Sequence, residues 1–388
     1  METSLTFSFF LIFTGAALLA SLALVSRQPL LIAYILLGAI IGPYGAAWVT
    51  DLELLAEIAD IGIVFLLFLL GLDMQPQALL HSLKKTTRVA LISSAIFLAV
   101  GYLVSLLFNF SNAEALVIGA AMMFSSTIIG IKLLPTTVLH HRENGEVMVG
   151  ILLLQDMIAI LVLLVIFSVS QGEFSGLSLV KTLLALPLLC AAAYAALRGI
   201  LLPLIKRFDR FHEYIFLLAI GWCLGLAEAA HALGLSAEMG AFIAGISLAT
   251  SPISQYIAIN LKPLRDFFLI LFFFSLGARF DLGLLAEIAL PASLLAGLIL
   301  LIKPLSFRYL LRNTLESNTL CWDLGFRLGQ ISEFSLLIAY LAFDHGLIGS
   351  AASHLVQATA ILTFVVSSYI VVLNFPSPIA IADELRRD

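Results

Sequence analysis

The sequence predicts an all-α polytopic membrane protein of about thirteen transmembrane helices, built as two inverted six-helix repeats around a linker helix. Three observations carry that prediction. Of the 388 residues, 61% are hydrophobic and 12% charged, against roughly 45–50% and 25% in a soluble globular domain. Apolar runs recur along the whole chain at the length that about 20 residues per helical crossing requires. Landmarks of the first half return in the second at an offset of about 206 residues.

Taken in order, the apolar runs broken by polar or Gly/Pro clusters give spans at 5–25, 30–46, 57–73, 88–108, 114–134, 147–168, 178–204, 213–232, 236–257, 266–279, 287–311, 321–343 and 350–374. The first span follows only Met1-Glu2-Thr3-Ser4, has no cationic lead and no small-residue cleavage site, so it is expected to be a retained helix. On one side of this ladder lie Arg27, Lys84, Lys85, Arg88, Lys132, Arg142, Lys206, Arg207, Arg210, Lys262, Arg265, Arg308, Arg312, Arg386 and Arg387. The other side is almost bare, with Arg279 and Lys181 near its edges. That asymmetry places the basic side in the cytoplasm of an inner (plasma) membrane protein. An odd number of spans then puts the N-terminus outside and the C-terminus inside. The chain stops shortly after the last span, so no soluble regulatory domain is expected.

A net charge of -5 with no basic run gives nucleic-acid binding no electrostatic basis. Cys190, Cys223 and Cys321 all fall in apolar stretches, far apart and without metal-ligand spacing. They are expected to be small core residues.

The repeat is legible in three landmarks. Tyr34-Ile35-Leu36-Leu37-Gly38-Ala39-Ile40-Ile41-Gly42 echoes Gly240-Ala241-Phe242-Ile243-Ala244-Gly245-Ile246-Ser247. Phe65 to Gly71 and Asp73 echo Leu271 to Gly277, Arg279 and Asp281, and Ser126 falls on Ser332. This divides the chain into a first repeat at 1–177, a linker helix at 178–212, a second repeat at 213–375 and a tail at 376–388. Seven spans separate equivalent helices, so the second repeat enters the bilayer from the opposite face, which permits alternating access.

A charge near the bilayer centre costs at least about 2.5–3.5 kcal/mol and needs a partner or a task. Asp156 sits near the middle of span six, with no other ionisable group for some ten residues either way. Helix association is one reading of it; a place on an ion pathway is the favoured one. Burial disfavours its ionised form, so it is expected to hold a proton or a cation but not both. Gln155 beside it offers a neutral carbonyl oxygen, so K+ or Na+ is expected at Asp156 and Gln155. Lys303, mid-span and followed by Pro304, is expected to pair with Asp156 when no cation is bound; snorkelling toward the interface is the alternative. The clusters Ser125-Ser126-Thr127 with Gly130, and Gly329-Gln330-Ile331-Ser332-Glu333, fall mid-span in equivalent helices. They read either as helix breaks facing one site or as interhelical hydrogen bonding. Glu333 lines the cavity or pairs with Arg327. Glu228 and His231 look interfacial, and Arg279, Asp281 and Asp73 look like helix-end pairing residues. The other histidines, His140 and His141 included, lack metal spacing.

Leu36 to Pro43, Phe65 to Asp73, Ser125-Ser126-Thr127, Leu154-Gln155-Asp156, Gly240 to Gly245, Phe272 to Asp281 and Gly329 to Phe334 together resemble the monovalent cation/proton antiporter superfamily, in the branch of the Kef potassium efflux systems. The resemblance implies an NhaA/NapA-like fold and a homodimer. In it, spans 1–3 and 8–10 form the dimer scaffold, and spans 4–6 and 11–13 form a core that moves like an elevator. Spans five and twelve would be broken and cross beside Asp156. Gln155, Asp156 and Lys303 fall on the family's ion-binding Gln-Asp pair and lysine. Electrogenic relatives carry two adjacent acids, so Gln155 implies electroneutral exchange leaning toward potassium. Kef proteins continue into a cytosolic regulatory domain, and this sequence ends before it, as a short member or as part of a longer protein.

The expected function is exchange of K+ for H+, with Na+ as the rival ion. The substrates are these ions, the surroundings are membrane lipid, and no cofactor is implied. A passive cation channel fits less well, because no ring of carbonyls or carboxylates is present. A membrane enzyme finds no nucleophile-base pair, paired acids or metal cluster.

Overall fold

The computed structural model describes residues 5–49, 52–73, 76–126, 143–170, 176–208, 210–233, 235–249, 251, 253–312 and 318–376. The regular elements there are helices: α1 (Leu5–Val25), α2 (Leu30–Ile41), α3 (Leu52–Asp73), α4 (Pro76–Leu107), α5 (Asn112–Met122), α6 (Glu143–Ser170), α7 (Gly176–Ala196), α8 (Leu202–Arg207), α9 (His212–Ala232), α10 (Ala237–Ala249), α11 (Ser254–Ala278), α12 (Leu285–Leu311), α13 (Asn318–Arg327), α14 (Glu333–Asp344) and α15 (Ser350–Asn374). A π turn over Leu197–Leu201 joins α7 to α8, and a 3-10 turn over Leu282–Leu284 leads into α12.

Among the described residues, six stretches are long and apolar enough to cross a membrane: Thr6–Val25, Thr86–Leu107, Pro187–Arg207, Glu213–Ala232, Leu282–Leu311 and Ser350–Asn374. They are predominantly apolar, and in the absence of water a helix satisfies its own backbone.

Several boundaries differ from those read from the sequence. Helix α10 ends at Ala249, not near 257, and α11 begins at Ser254, so Lys262, Pro263, Arg265 and Asp266 are inside a helix. Hydropathy marks where a helix becomes apolar, while the hydrogen-bonded helix extends through its polar approach; Arg265 and Asp266 pair on that approach at 3.0 Å. Cys190 is exposed on α7, whereas Cys223 and Cys321 are buried. An apolar stretch does not separate core-facing from lipid-facing positions, since lipid tails are as apolar as a core.

The chain divides into two compact units, one holding Leu37–Ala78 and Phe167–Arg279, the other Leu79–Ile166 and Phe280–Asp388, with the first 36 residues shared between them. The first unit is held by glycine-mediated crossings. A Cβ on Gly38 of α2 would lie 2.1 Å from Phe274 O and 3.0 Å from the Gly277 carbonyl carbon of α11. One on Gly245 of α10 would lie 2.1 Å from Phe68 O and 2.9 Å from Gly71 Cα of α3. Only hydrogen fits at those places, and the van der Waals contact of two backbones replaces the hydrophobic effect that lipid removes. In the second unit, Phe97 of α4, Ile151 and Leu152 of α6, Phe307 of α12 and Leu324 of α13 share one buried cluster, with the Phe97 and Phe307 rings edge-on at 5.6 Å.

Gly245→Val should therefore lower the melting temperature of the detergent-solubilised protein, the overpacking costing about 1–3 kcal/mol. Gly221→Ala, whose added Cβ meets nothing within 4 Å, should leave it unchanged. Equal melting of both variants would contradict the close-crossing account.

Candidate functional site

Two helices of the second unit stop short. Helix α5, opened by a capping box between Ser111 and Glu114, ends at Met122, and Met123 to Ser126 continue without helix. Helix α13 ends at Arg327, and the chain runs irregularly to Ser332, which caps α14 by accepting the Phe334 N–H. Each interruption leaves carbonyls and N–H groups without helical partners. Inside a membrane these must find partners within the protein.

Gln155 and Lys303 supply most of them. Gln155 Oε1 accepts the Ser125 N–H at 3.0 Å and its Nε2 donates to Met123 O at 3.2 Å, so both ends of the amide clamp the first interruption. Lys303 Nζ donates to Phe124 O at 2.5 Å, to Gln330 O at 3.0 Å and to Ser125 Oγ at 3.2 Å. It also lies 5.0 Å from the Phe97 ring centroid, a cation-π distance. The C-terminal ends of α5 and α13 each carry a partial charge of about −0.5. The ammonium bridges the residues beyond both ends and offsets that charge.

The two interruptions also bond each other. Ser125 Oγ donates to Leu328 O at 2.9 Å, and Ser335 Oγ donates to Ala121 O. Gln330 Nε2 donates to Arg327 O at 2.9 Å and reaches Ser126 O at 3.5 Å. Asp156 follows Gln155 on α6 and is 3% exposed, the one carboxylate residue in the buried class among the described residues.

The site residues read from the sequence thus lie around these interruptions, with changed partners. The Gln155 carbonyl, expected to face a cation, is engaged by the Ser125 amide. Lys303, expected to pair with Asp156, is directed at the backbone oxygens beyond two helix ends. These are deep and fixed in place, and a buried ammonium needs several acceptors. Arg327 is 1% exposed; its Nε donates to Asp323 at 2.8 Å and a terminal nitrogen to Pro376 O at 2.6 Å. Asp323, one helical turn before Arg327 on α13, was legible as an i,i+4 pair and was missed. Glu228 and His231 are exposed, 4.0 Å apart, and Asp281 caps Gly283. Thr127, Gly130, His140 and His141 lie outside the described residues. Among the described residues no group of three His, Cys, Asp or Glu side chains could hold a metal ion.

Residues 10–374 match the family described as sodium/hydrogen exchanger, transmembrane. The chain is similar to K(+) efflux antiporter 4 of Arabidopsis thaliana, 28% identical over 87% of this chain and 58% of that protein. It is similar to the putative cation/proton antiporter YbaL of Escherichia coli, 27% identical over 91% of this chain and 65% of that one. The iron transporter MagA of Paramagnetospirillum magneticum is 27% identical over 88% of this chain and 79% of its own length. The chain therefore spans little more than half of the plant relative. The sodium proton antiporter MjNhaP1 of Methanocaldococcus jannaschii has the same fold, with a TM-score of 0.66 at 20% identity over 93% of this chain and 92% of that one.

Lys303→Met keeps the apolar stem and removes the donors. Each carbonyl then left buried without a partner costs about 1–3 kcal/mol. The variant should melt several degrees below the unmodified protein, and an unchanged melting temperature would contradict the bridging role.

Proposed function

Because the chain belongs to the sodium/hydrogen exchanger family, we propose that it exchanges a monovalent cation, K+ before Na+, for H+ across the membrane, with Asp156 holding one or the other. The observation that carries this reading is the placement of a buried carboxylate directly after the residue that clamps a helix interruption. A carboxylate withdrawn from water binds a proton readily, and releases it when a cation brings its own charge to the same oxygens. Competition for one group couples the two flows. One carboxylate means one proton per cation, hence electroneutral exchange.

On this reading Ser125, Ser126 and Thr127 accompany Asp156 at the ion, whose charge the carboxylate meets. The absence of a second acid beside Asp156 supports electroneutrality, and the names of the plant relatives support K+.

An alternating-access cycle needs two inverted repeats, and three sets of contacts support them. Lys303 bonds Phe124 O and Gln330 O, which are related by the offset of about 206 residues. At that offset the residue equivalent to Lys303 is Phe97, whose ring it touches. The Gly38 contact with Gly277 maps onto the Gly245 contact with Gly71. Equivalent residues meet in this way along a pseudo-two-fold axis. On this reading the chain crosses an inner membrane about thirteen times, N-terminus outside, and works as a homodimer. Spans 1–3 and 8–10 are then the scaffold, and the second unit is the moving body of an elevator.

Asp156→Asn should abolish K+-dependent proton movement in proteoliposomes while keeping the melting temperature; retained exchange would remove Asp156 from the mechanism. In the unmodified protein the apparent KM for K+ should rise about tenfold for each pH unit below the carboxyl's pKa, because protons then occupy the site. A KM independent of pH across the active range would contradict competition at one group.

A further inference from the structure

One helix outside the motifs identified above reaches both the second interruption and the residue that Lys303 grips. Helix α15 presents Thr359, Thr363 and Ser367 at i, i+4 and i+8, on one face, each at most 1% exposed. Ser367 Oγ donates to Gln330 Oε1 at 2.8 Å and lies 3.4 Å from Phe326 O in the last turn of α13. Thr363 Oγ1 accepts the Ile331 N–H at 3.4 Å while donating to Ala360 O within its own helix. Thr359 bonds only inside the helix, to Leu355 O.

Gln330 is held at three points. Its backbone oxygen takes Lys303, its amide nitrogen takes Arg327 O and Ser126 O, and its amide oxygen takes Ser367. Rotating the amide would set its oxygen against two carbonyl oxygens, so the hydroxyl of Ser367 completes the one orientation that satisfies every atom. We infer that Ser367, supported by Thr363, is a positioning residue for ion exchange, fixing Gln330 and through it the Lys303 ammonium on the two helix ends. This rests on the exchange reading of the same site. Without the Ser367 hydroxyl, Gln330 Oε1 is buried without a donor, the interruption loosens, and Lys303 loses one of its acceptors. A released ammonium turns toward the carboxylate on α6 and favours its charged form, so protons compete less well there.

The test compares Ser367→Ala, Ser367→Thr and a neighbour. Ser368 is 2% exposed, and its Oγ forms no hydrogen bond among the described residues, so Ser368→Ala removes an equally buried hydroxyl that holds nothing. In proteoliposomes, Ser367→Ala should shift the pH midpoint of K+/H+ exchange to the acid side by about half a unit or more. Ser367→Thr should restore it, and Ser368→Ala should match the unmodified protein. A midpoint unmoved in Ser367→Ala, or activity lost without a shift and not restored by threonine, would overturn the inference.

Hydrogen exchange in peptides covering 326–333 supplies an arm that needs no transport. Faster exchange in Ser367→Ala and Thr363→Val, but not in Ser368→Ala, supports the positioning role, and equal exchange in all of them overturns it. If the unmodified protein moves no protons with K+, the proposed function fails, and this arm alone decides the role of Ser367.

Discussion

A helix interrupted inside a membrane must find partners for every backbone group that the interruption frees, and the second unit is organised around that requirement. The ends of α5 and α13 face a single ammonium, which takes Phe124 O and Gln330 O together. Burying a lysine is itself expensive, and here several oxygens and the Phe97 ring compensate it. The cost of the cation and the cost of the helix ends offset each other, so neither is tolerable alone. Gln155, Ser125, Ser335 and Gln330 then satisfy the groups that one ammonium cannot reach.

This assignment governs the chemistry left for Asp156. Lys303 is engaged by neutral oxygens, and both ends of the Gln155 amide are bonded to backbone. On the proposed reading the exchangeable charge is that of one carboxyl group, which a proton or a monovalent cation neutralises equally. Two mutually bonded interruptions also make the surroundings of that group stiff, which on the proposed reading presents the ion with fixed oxygens. The same stiffness is what the proposed elevator cycle requires of the second unit.

The class of fold was legible because composition and run length are strong constraints in lipid, and the close crossings because at Gly38, Gly71 and Gly245 an added Cβ would meet the backbone of a neighbouring helix. The irregular stretches after Met122 and Arg327 fall where hydroxyl and glycine clusters weaken helical continuity. What the sequence could not convey was which atom faces which. Gln155 and Lys303 were marked as polar residues at depth, yet their partners are backbone atoms, and a backbone oxygen carries no mark in the sequence. The partners of Ser367 were hidden for the same reason, although its i,i+4 spacing with Thr363 and Thr359 was in plain view. Cys190 was misplaced because apolar neighbours do not tell lipid from core.

The most direct test of a single exchangeable carboxyl group is the number of protons released when K+ binds to the purified protein in detergent, obtained by calorimetry in buffers of different ionisation heat. Below the pKa of Asp156 the account predicts about one proton released per K+ bound, falling toward none as pH rises and the group is already ionised. Binding of K+ that releases no proton at any pH, or release that persists in Asp156→Asn, would contradict it.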